Sequence, residues 1–188
     1  FDISASRARI SSQPSMTDPA GTKGAFGTFF TWTQRLGLVP CLVSQNTDLA
    51  EGCPYVVVNP ARISPMAGDR IADYVANHGG SLVLLGDPSR DRDALAEYCS
   101  LFGLAVLPAQ SGSLVLSSGS TMKSPISPAQ TIFTSVAQGG AGRVVLVSDS
   151  AAFSDLSLGG GFAVPSAIQR RLYDFEFWLF GTLLAAPP

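Results

Sequence analysis

The sequence predicts an α/β protein: a doubly wound, mostly parallel sheet with helices on both faces and an insertion at one edge near 108–142. Three observations predict it. First, Tyr55–Val58 and Ser81–Leu85 are short, nearly unbroken apolar runs rich in Val and Leu, which suits strands covered on both faces. Second, a helical pattern lies between them. Ser64 can cap it, Pro65 can take its first position and Gly79 can end it, with Ile71, Tyr74, Val75 and His78 on one face. Third, strand and helix patterns alternate along the rest of the chain, as in a sheet built from right-handed βαβ units.

In chain order, a strand is expected around Ser6–Ile10, then a loop over Thr17–Gly24 with Asp18-Pro19 and two glycines. A helix follows over Ala25–Leu36, where Phe26, Phe29, Phe30 and Thr33 share a face and Gly37 is the stop. Leu38–Val43 reads as a short edge strand, because Pro40 cannot donate to a ladder. Ser44–Pro54 is a connection with a helical hint at Thr47–Ala50. After the central βαβ unit, Ser89 or Asp91 can cap a helix to about Phe102, with Ala94, Leu95, Tyr98, Cys99 and Phe102 inward and Gly103 ending it. Leu104–Leu107 is a short strand.

Residues 108–142 change character and are rich in Ser, Gly, Pro and Gln. Their apolar islands, Leu114–Leu116 and Ile132–Val136, argue for a hairpin plus a short helix or turn at one sheet edge. Arg143–Val147 is the last strong strand. Pro165 or Ser166 opens a final helix to about Leu184, with Ile168, Leu172, Phe175 and Leu179 inward. Phe177, Trp178 and Phe180 lie off that stripe, so its second half is buried deeply or meets a partner or membrane-proximal surface.

At 188 residues the chain is read as a single domain able to bury a substantial core. Only 14% of residues are charged and the formal net charge is −2, so no global pull on nucleic acid or anionic lipid is expected. Arg7, Arg9, Arg170 and Arg171 form local pairs, read as solvated surface rather than a phosphate-binding stripe. Cys41, Cys53 and Cys99 form no CxxC pair and no zinc spacing. Cys41, in a strand, and Cys99, on a helix, are expected to be buried and unreactive, and the disulfide state is left open. No run reaches the ~20 apolar residues of a membrane span, and no signal peptide is visible. Because residue 1 is Phe rather than Met, the chain is read as a processed or excised piece.

Four stretches carry a family resemblance. They are FDISASRARISSQPS followed by GTKGAFGTFFTWTQRLGL, then YVVVNPARIS, then IADYVANHGGSLVLLGDPS, then RVVLVSDSAAFSD with the closing helix. Together they resemble the class I glutamine amidotransferase-like (flavodoxin-like) fold. The likeness is nearest to an uncharacterised bacterial branch, found beside transmembrane helices and in auxiliary proteins of gliding-motility-type transport systems. The resemblance implies a non-catalytic, membrane-associated domain with a protein partner or neighbouring membrane segment. It implies an extracytoplasmic location, with the cytoplasm as the alternative.

The family's catalytic residues do not carry over. Its nucleophile is a cysteine in a Gly-x-Cys-x-Gly turn, and Gly86-Asp87-Pro88-Ser89-Arg90 places Pro88 at that position. Proline has neither a nucleophile nor an N–H for an oxyanion. The family's histidine belongs after the last core strand, where this chain has Ser148-Asp149-Ser150. The lone histidine, His78, ends the helix entering Ser81–Leu85 and so belongs at the amino edge of the sheet, opposite the usual active edge.

Sites in such sheets lie at the carboxyl ends of the strands, which here offer Asn59, Arg62, Asp87, Ser89, Asp149 and Ser150. Asp87, Asp149 and Asn59 could hold a hard cation and support a metal-dependent hydrolase, or the same edge could bind a sugar or nucleotide without turnover. Their ordinary reading is turn and cap chemistry, with the two aspartates not converging on a metal. Catalytic residues, bound metal and cofactor are each expected to be none. Gly21-Thr22-Lys23-Gly24 fails as a phosphate loop because Lys23 does not precede Ser or Thr, although a small anion could sit at that helix start.

Overall fold

The computed structural model describes residues 1–11, 24–44, 49, 52–87, 89–109, 112–127, 130–160 and 164–184. At its centre are β1 (Pro54–Val58), α2 (Pro65–Asn77) and β2 (Ser81–Gly86), the predicted βαβ unit with bounds moved by one residue. Ser64 caps α2 as expected, its hydroxyl accepting from the Ala67 N–H at 3.3 Å, with Pro65 at the first position.

β1 and β2 run parallel, and β2 runs parallel to β7 (Gly142–Ser148). Beyond β7 the hairpin of β6 (Gln130–Gly139) and β5 (Ser120–Ser127) extends the sheet antiparallel, giving the order β1-β2-β7-β6-β5. The sheet is therefore mixed, with β6 alone running against the other four strands. The edge hairpin expected within 108–142 is present, and the segment before it carries a turn at Ser117–Ser118.

Successive residues of the parallel strands alternate between two apolar clusters. Val56, Val58, Val83, Leu85, Val145 and Val147 join Phe29, Phe153, Phe175 and Leu179 in one. Tyr55, Val57, Leu82, Leu84, Val144 and Leu146 join Ile71, Tyr74, Leu95 and Tyr98 in the other. This explains the unbroken apolar runs: neither side of these strands meets water.

The first cluster draws on α1 (Gly27–Trp32), α4 (Asp155–Leu158) and α5 (Ala167–Leu184), the second on α2 and α3 (Arg92–Ser100). Glycine permits two of the close approaches. A Cβ on Gly86 would lie 2.5 Å from Leu95 Cδ1 of α3, and one on Gly142 only 1.9 Å from the Gly80 carbonyl oxygen.

Several expected elements change. Ser6–Ile10 and Leu38–Val43 form no strands; they contribute only the isolated bridges Ser6↔Pro60, Arg9↔Ala25 and Asp2↔Val43. The physical reason is the buried Asp2 side chain, which draws Ser4 and Ala5 into a turn, while Pro40 has no N–H for a ladder. These segments still cover the sheet edge. Asp2 N–H donates to the Val56 carbonyl and the Val58 N–H donates to Ser6 Oγ, so edge strand β1 is paired in part.

The first helix is α1 followed by a 3-10 turn over Thr33–Leu36, ended by Gly37 at φ 75°. The strand expected at Leu104–Leu107 is β3 (Val106–Pro108), and it pairs only with β4 (Leu114–Leu116), because β6 occupies the place beside β7. The helical hint at Thr47–Ala50 and the loop at Gly21–Lys23 lie outside the described residues, apart from Leu49.

On α5, Ser166 and Gln169 form a reciprocal cap: Ser166 Oγ accepts the Gln169 N–H at 3.3 Å and Gln169 Oε1 accepts the Ser166 N–H at 2.8 Å. Leu172, Phe175, Leu179 and Phe180 are buried, but Ile168 is 55% exposed, since burial begins one turn further on. Tyr173 stacks on Trp32 with ring centroids 3.9 Å apart.

Ser148, the last residue of β7, anchors β4 to the main sheet. Its Oγ accepts the Leu114 N–H at 2.8 Å and donates to the Leu114 carbonyl at 2.9 Å. Ser148→Ala strands both buried backbone groups. An expected loss of about 2 kcal/mol follows, read by urea unfolding. Hydrogen exchange at Leu114 should accelerate; an unchanged rate there would refute the anchoring role.

Candidate functional site

The carboxyl ends of β1, β2 and β7 lie side by side, because Val58 pairs with Leu85 and Gly86 with Ser148. Asn59, Asp87 and Asp149 each follow one of these strands directly, so the predicted edge exists as an edge. Asn59 and Asp149 are the two non-glycine residues with positive φ among the described residues, at 50° and 71°. Asn and Asp tolerate this left-handed geometry better than most residues.

Asn59 is buried, and its backbone and Oδ1 are engaged. Its N–H donates to the Leu85 carbonyl at 2.7 Å, its carbonyl accepts from the Arg7 N–H at 2.8 Å, and its Oδ1 accepts from Ser150 Oγ at 2.5 Å. The structure thus brings Asn59 and Ser150 together across the ends of β1 and β7. Asp87 turns inward on its own loop. Its Oδ1 accepts the Ser89 N–H at 2.9 Å and the Ser89 hydroxyl at 2.6 Å, and its Oδ2 lies 3.2 Å from Arg90 Nε. Arg62 is exposed. Pro88 lies outside the described residues. Among the described residues no group of three or more His, Cys, Asp or Glu side chains is placed to hold a metal ion.

Burial pushes the Asp87 carboxyl up, but the Ser89 hydroxyl and N–H and the Arg90 guanidinium outweigh it, so the net direction is down. The stabilisation this gives is complete above the unfolded value of ~3.9 and is lost as pH falls through the lower folded value. Asp87→Asn should therefore flatten the stability profile on the acid side of pH 4, by a small amount because solvent screens this loop. An unaltered acid limb in urea titrations from pH 2 to 5 would contradict it.

Arg7, read from the sequence as solvated surface, is a structural member of this edge. Its Nε donates to the Pro60 carbonyl at 3.0 Å and its Nη1 lies 3.8 Å from the Asp91 carboxylate. Asp91 is the α3 cap residue in position only. Its buried carboxylate accepts the Asp87 N–H at 2.9 Å rather than a helix N–H. Nothing in the local spacing signals this pairing, because Arg7 and Asp91 lie 84 positions apart. The start of α1, where a small anion could have sat, receives the Asp155 carboxylate, which accepts the Thr28 N–H at 2.7 Å.

His78 lies three residues before the first residue of β2, at the edge opposite Gly86. A six-residue strand spans roughly 20 Å at ~3.3 Å per residue, so the imidazole is remote from the 86–89 bend. It does not share the buried face of α2 as expected. His78 has left helical geometry as the C-cap, is exposed, and lies 3.3 Å from Asp73. Of the cysteines, Cys99 is buried, and burial pushes its thiol up to about 12. Cys41 is exposed rather than buried, because the strand expected there does not form, and Cys53 is exposed as well. All three are free.

No helix among the described residues is long and apolar enough to cross a membrane. Comparison with protein-family models, with curated proteins and with solved structures gave no match to this chain.

Proposed function

We propose that this chain is a non-catalytic binding or scaffolding domain of a membrane-associated bacterial assembly, built on a doubly wound, amidotransferase-like sheet. One observation carries the reading. The polar groups at the carboxyl edge are engaged with one another, and residues 5–7 lie across the end of β1. Ala5 carbonyl accepts the Ala61 N–H at 2.8 Å, Arg7 holds Pro60 and Asp91, Ser150 holds Asn59, and Ser89 holds Asp87. A nucleophile needs a base within hydrogen-bond reach, and the lone imidazole stands at the other end of the strands. The partner is a protein or a neighbouring membrane segment.

Two measurements test this. The Pro88→Cys variant should release no ammonia from glutamine, since a thiol there has no histidine in reach; turnover would refute the geometric argument. Fractionation of cells expressing the full-length protein should recover it with membranes, and recovery in the soluble fraction alone would overturn the membrane assignment.

A second reading is favoured by the paired left-handed residues. Backbone strain of this kind gathers at ligand sites, so the Asn59–Ser150 edge would bind a sugar or nucleotide, or support metal-dependent hydrolysis with Asp87 and Asp149. Hydrolysis of phosphate or acyl esters that requires a divalent cation and is lost in Asp87→Asn would select the hydrolase. Saturable nucleotide binding without turnover would select the binding module.

A further inference from the structure

A second candidate site lies at the other end of β1. This strand is one edge of the five-stranded sheet, and among the described residues its flank carries residues 1–3 with residues 41–43 beyond them. The two apolar clusters meet here: Val56 and Phe180 belong to one, Tyr55 and Tyr74 to the other. Between them is a cavity of about 420 Å³. Those four side chains, all buried, line its inner wall, while the exposed residues Val39, Cys41 and Cys53 line its mouth.

The wall is mainly apolar. Among the described residues no charged side chain lines it. Its hydroxyls are already engaged: Thr33 Oγ1 donates to the Phe30 carbonyl at 2.7 Å, the Tyr74 hydroxyl to the Cys53 carbonyl, and the Tyr55 hydroxyl to the Asp2 carboxylate. Burial also pushes the Tyr74 hydroxyl up to about 12, so it stays neutral. The space equals roughly 14 water molecules at ~30 Å³ each, and water there would face apolar walls. A charged or sugar-like ligand would lose more hydration than this mainly apolar wall replaces.

We propose that this cavity binds an uncharged, apolar small molecule, with the Cys41 and Cys53 thiols flanking its entrance. The volume falls within the ~300–1,000 Å³ usual for small-molecule sites. Residues 1–3 lie between Cys41 and the start of β1. Both thiols are free and exposed, so each can report on the entrance. The site is independent of the carboxyl edge and of the reading given to it.

The test uses N-phenyl-1-naphthylamine, an uncharged fluorophore, on the whole protein. One saturable site per chain is expected. At saturation, alkylation of Cys41 and Cys53 by N-ethylmaleimide, followed by peptide mass spectrometry, slows several-fold, and Cys99 stays unreacted throughout. Decan-1-ol displaces the probe, whereas glucose and AMP do not. Two filling variants, Leu38→Trp in the wall and Cys53→Trp at the exposed mouth, each weaken binding by about tenfold or more, ~1.4 kcal/mol. Circular dichroism checks that they fold, and the exposed position of Cys53 keeps that variant informative if Leu38→Trp does not. Absence of saturable binding overturns the proposal. So does binding with unchanged alkylation rates, wild-type affinity in a folded filling variant, or displacement by glucose or AMP.

Discussion

Asp2→Ala should be among the most destabilising single substitutions in this chain, with a loss of about 4 kcal/mol. Asp2 is fully buried. Its Oδ1 accepts the Ser4 N–H at 2.6 Å, the Ser4 hydroxyl at 2.7 Å and the Ala5 N–H at 2.9 Å, while Oδ2 accepts the Tyr55 hydroxyl. Alanine leaves those donors without an acceptor in a place water reaches poorly. It also releases the turn that sets residues 1–3 against β1, so the sheet edge opens with it. Burial, and then the bond to Asp2, raise the Tyr55 hydroxyl, which remains a donor at any ordinary pH.

Two companion variants separate the contributions. Asp2→Asn keeps one acceptor and should cost about half as much, and Tyr55→Phe, which removes a single donor, about 1 kcal/mol. Urea unfolding followed by tryptophan fluorescence reads all three. A loss below about 1 kcal/mol for Asp2→Ala would mean that the cluster contributes nothing net.

Glu176→Leu should act in the opposite direction. Glu176 sits on α5 between Leu172 and Leu179, with no exposed surface, and neither carboxyl oxygen has a hydrogen-bond partner. Burial alone raises its carboxyl well above the usual range, which favours its neutral form in the folded protein. In the unfolded chain the same group ionises near pH 4.3. Above that pH the unfolded state gives up a proton that the folded state keeps. Stability therefore falls as pH rises from about 4.3 toward the folded value, and levels off beyond it.

Glu176→Leu removes both the titration and the unsatisfied oxygens. It should add about 3 kcal/mol at pH 8, or roughly 6–12 °C in Tm for a chain of this size. Glu176→Gln should remove the pH slope yet keep much of the unsatisfied polarity, so its gain is smaller. If the wild type shows no decline in stability between pH 5 and 8 in its Glu176-dependent part, the buried carboxyl has found a partner and the prediction fails. This profile runs opposite to that of Asp87, whose stabilising effect is lost in acid.

The apolar runs at Tyr55–Val58, Ser81–Leu85 and Arg143–Val147 announced buried strands, because hydrophobic pattern and chain length act locally. Ser64-Pro65 and Gly79 marked the bounds of α2 for the same reason. Gly86, conspicuous in the sequence as the first residue of a turn, has a packing reason: Leu95 leaves no room for a Cβ. Leu38–Val43 was misleading, since its apolar residues serve a cavity wall and a single bridge instead of a ladder. His78 has helical spacing with Tyr74, yet the helix ends before it and leaves it in solvent.

By itself the sequence determined the alternation of strands and helices, the central βαβ unit, the edge hairpin and the residues that face the carboxyl edge. All of these follow from period, capping and turn chemistry within a few residues. Only the tertiary structure decided that Asp2 organises the β1 flank, that Arg7 bridges to Asp91, that Asn59 meets Ser150, and that Glu176 is sealed in an apolar layer without a partner. Those pairings join residues tens of positions apart, or depend on which side of a helix the sheet covers. Their energies arise from desolvation and hydrogen bonding that exist only once the layers close.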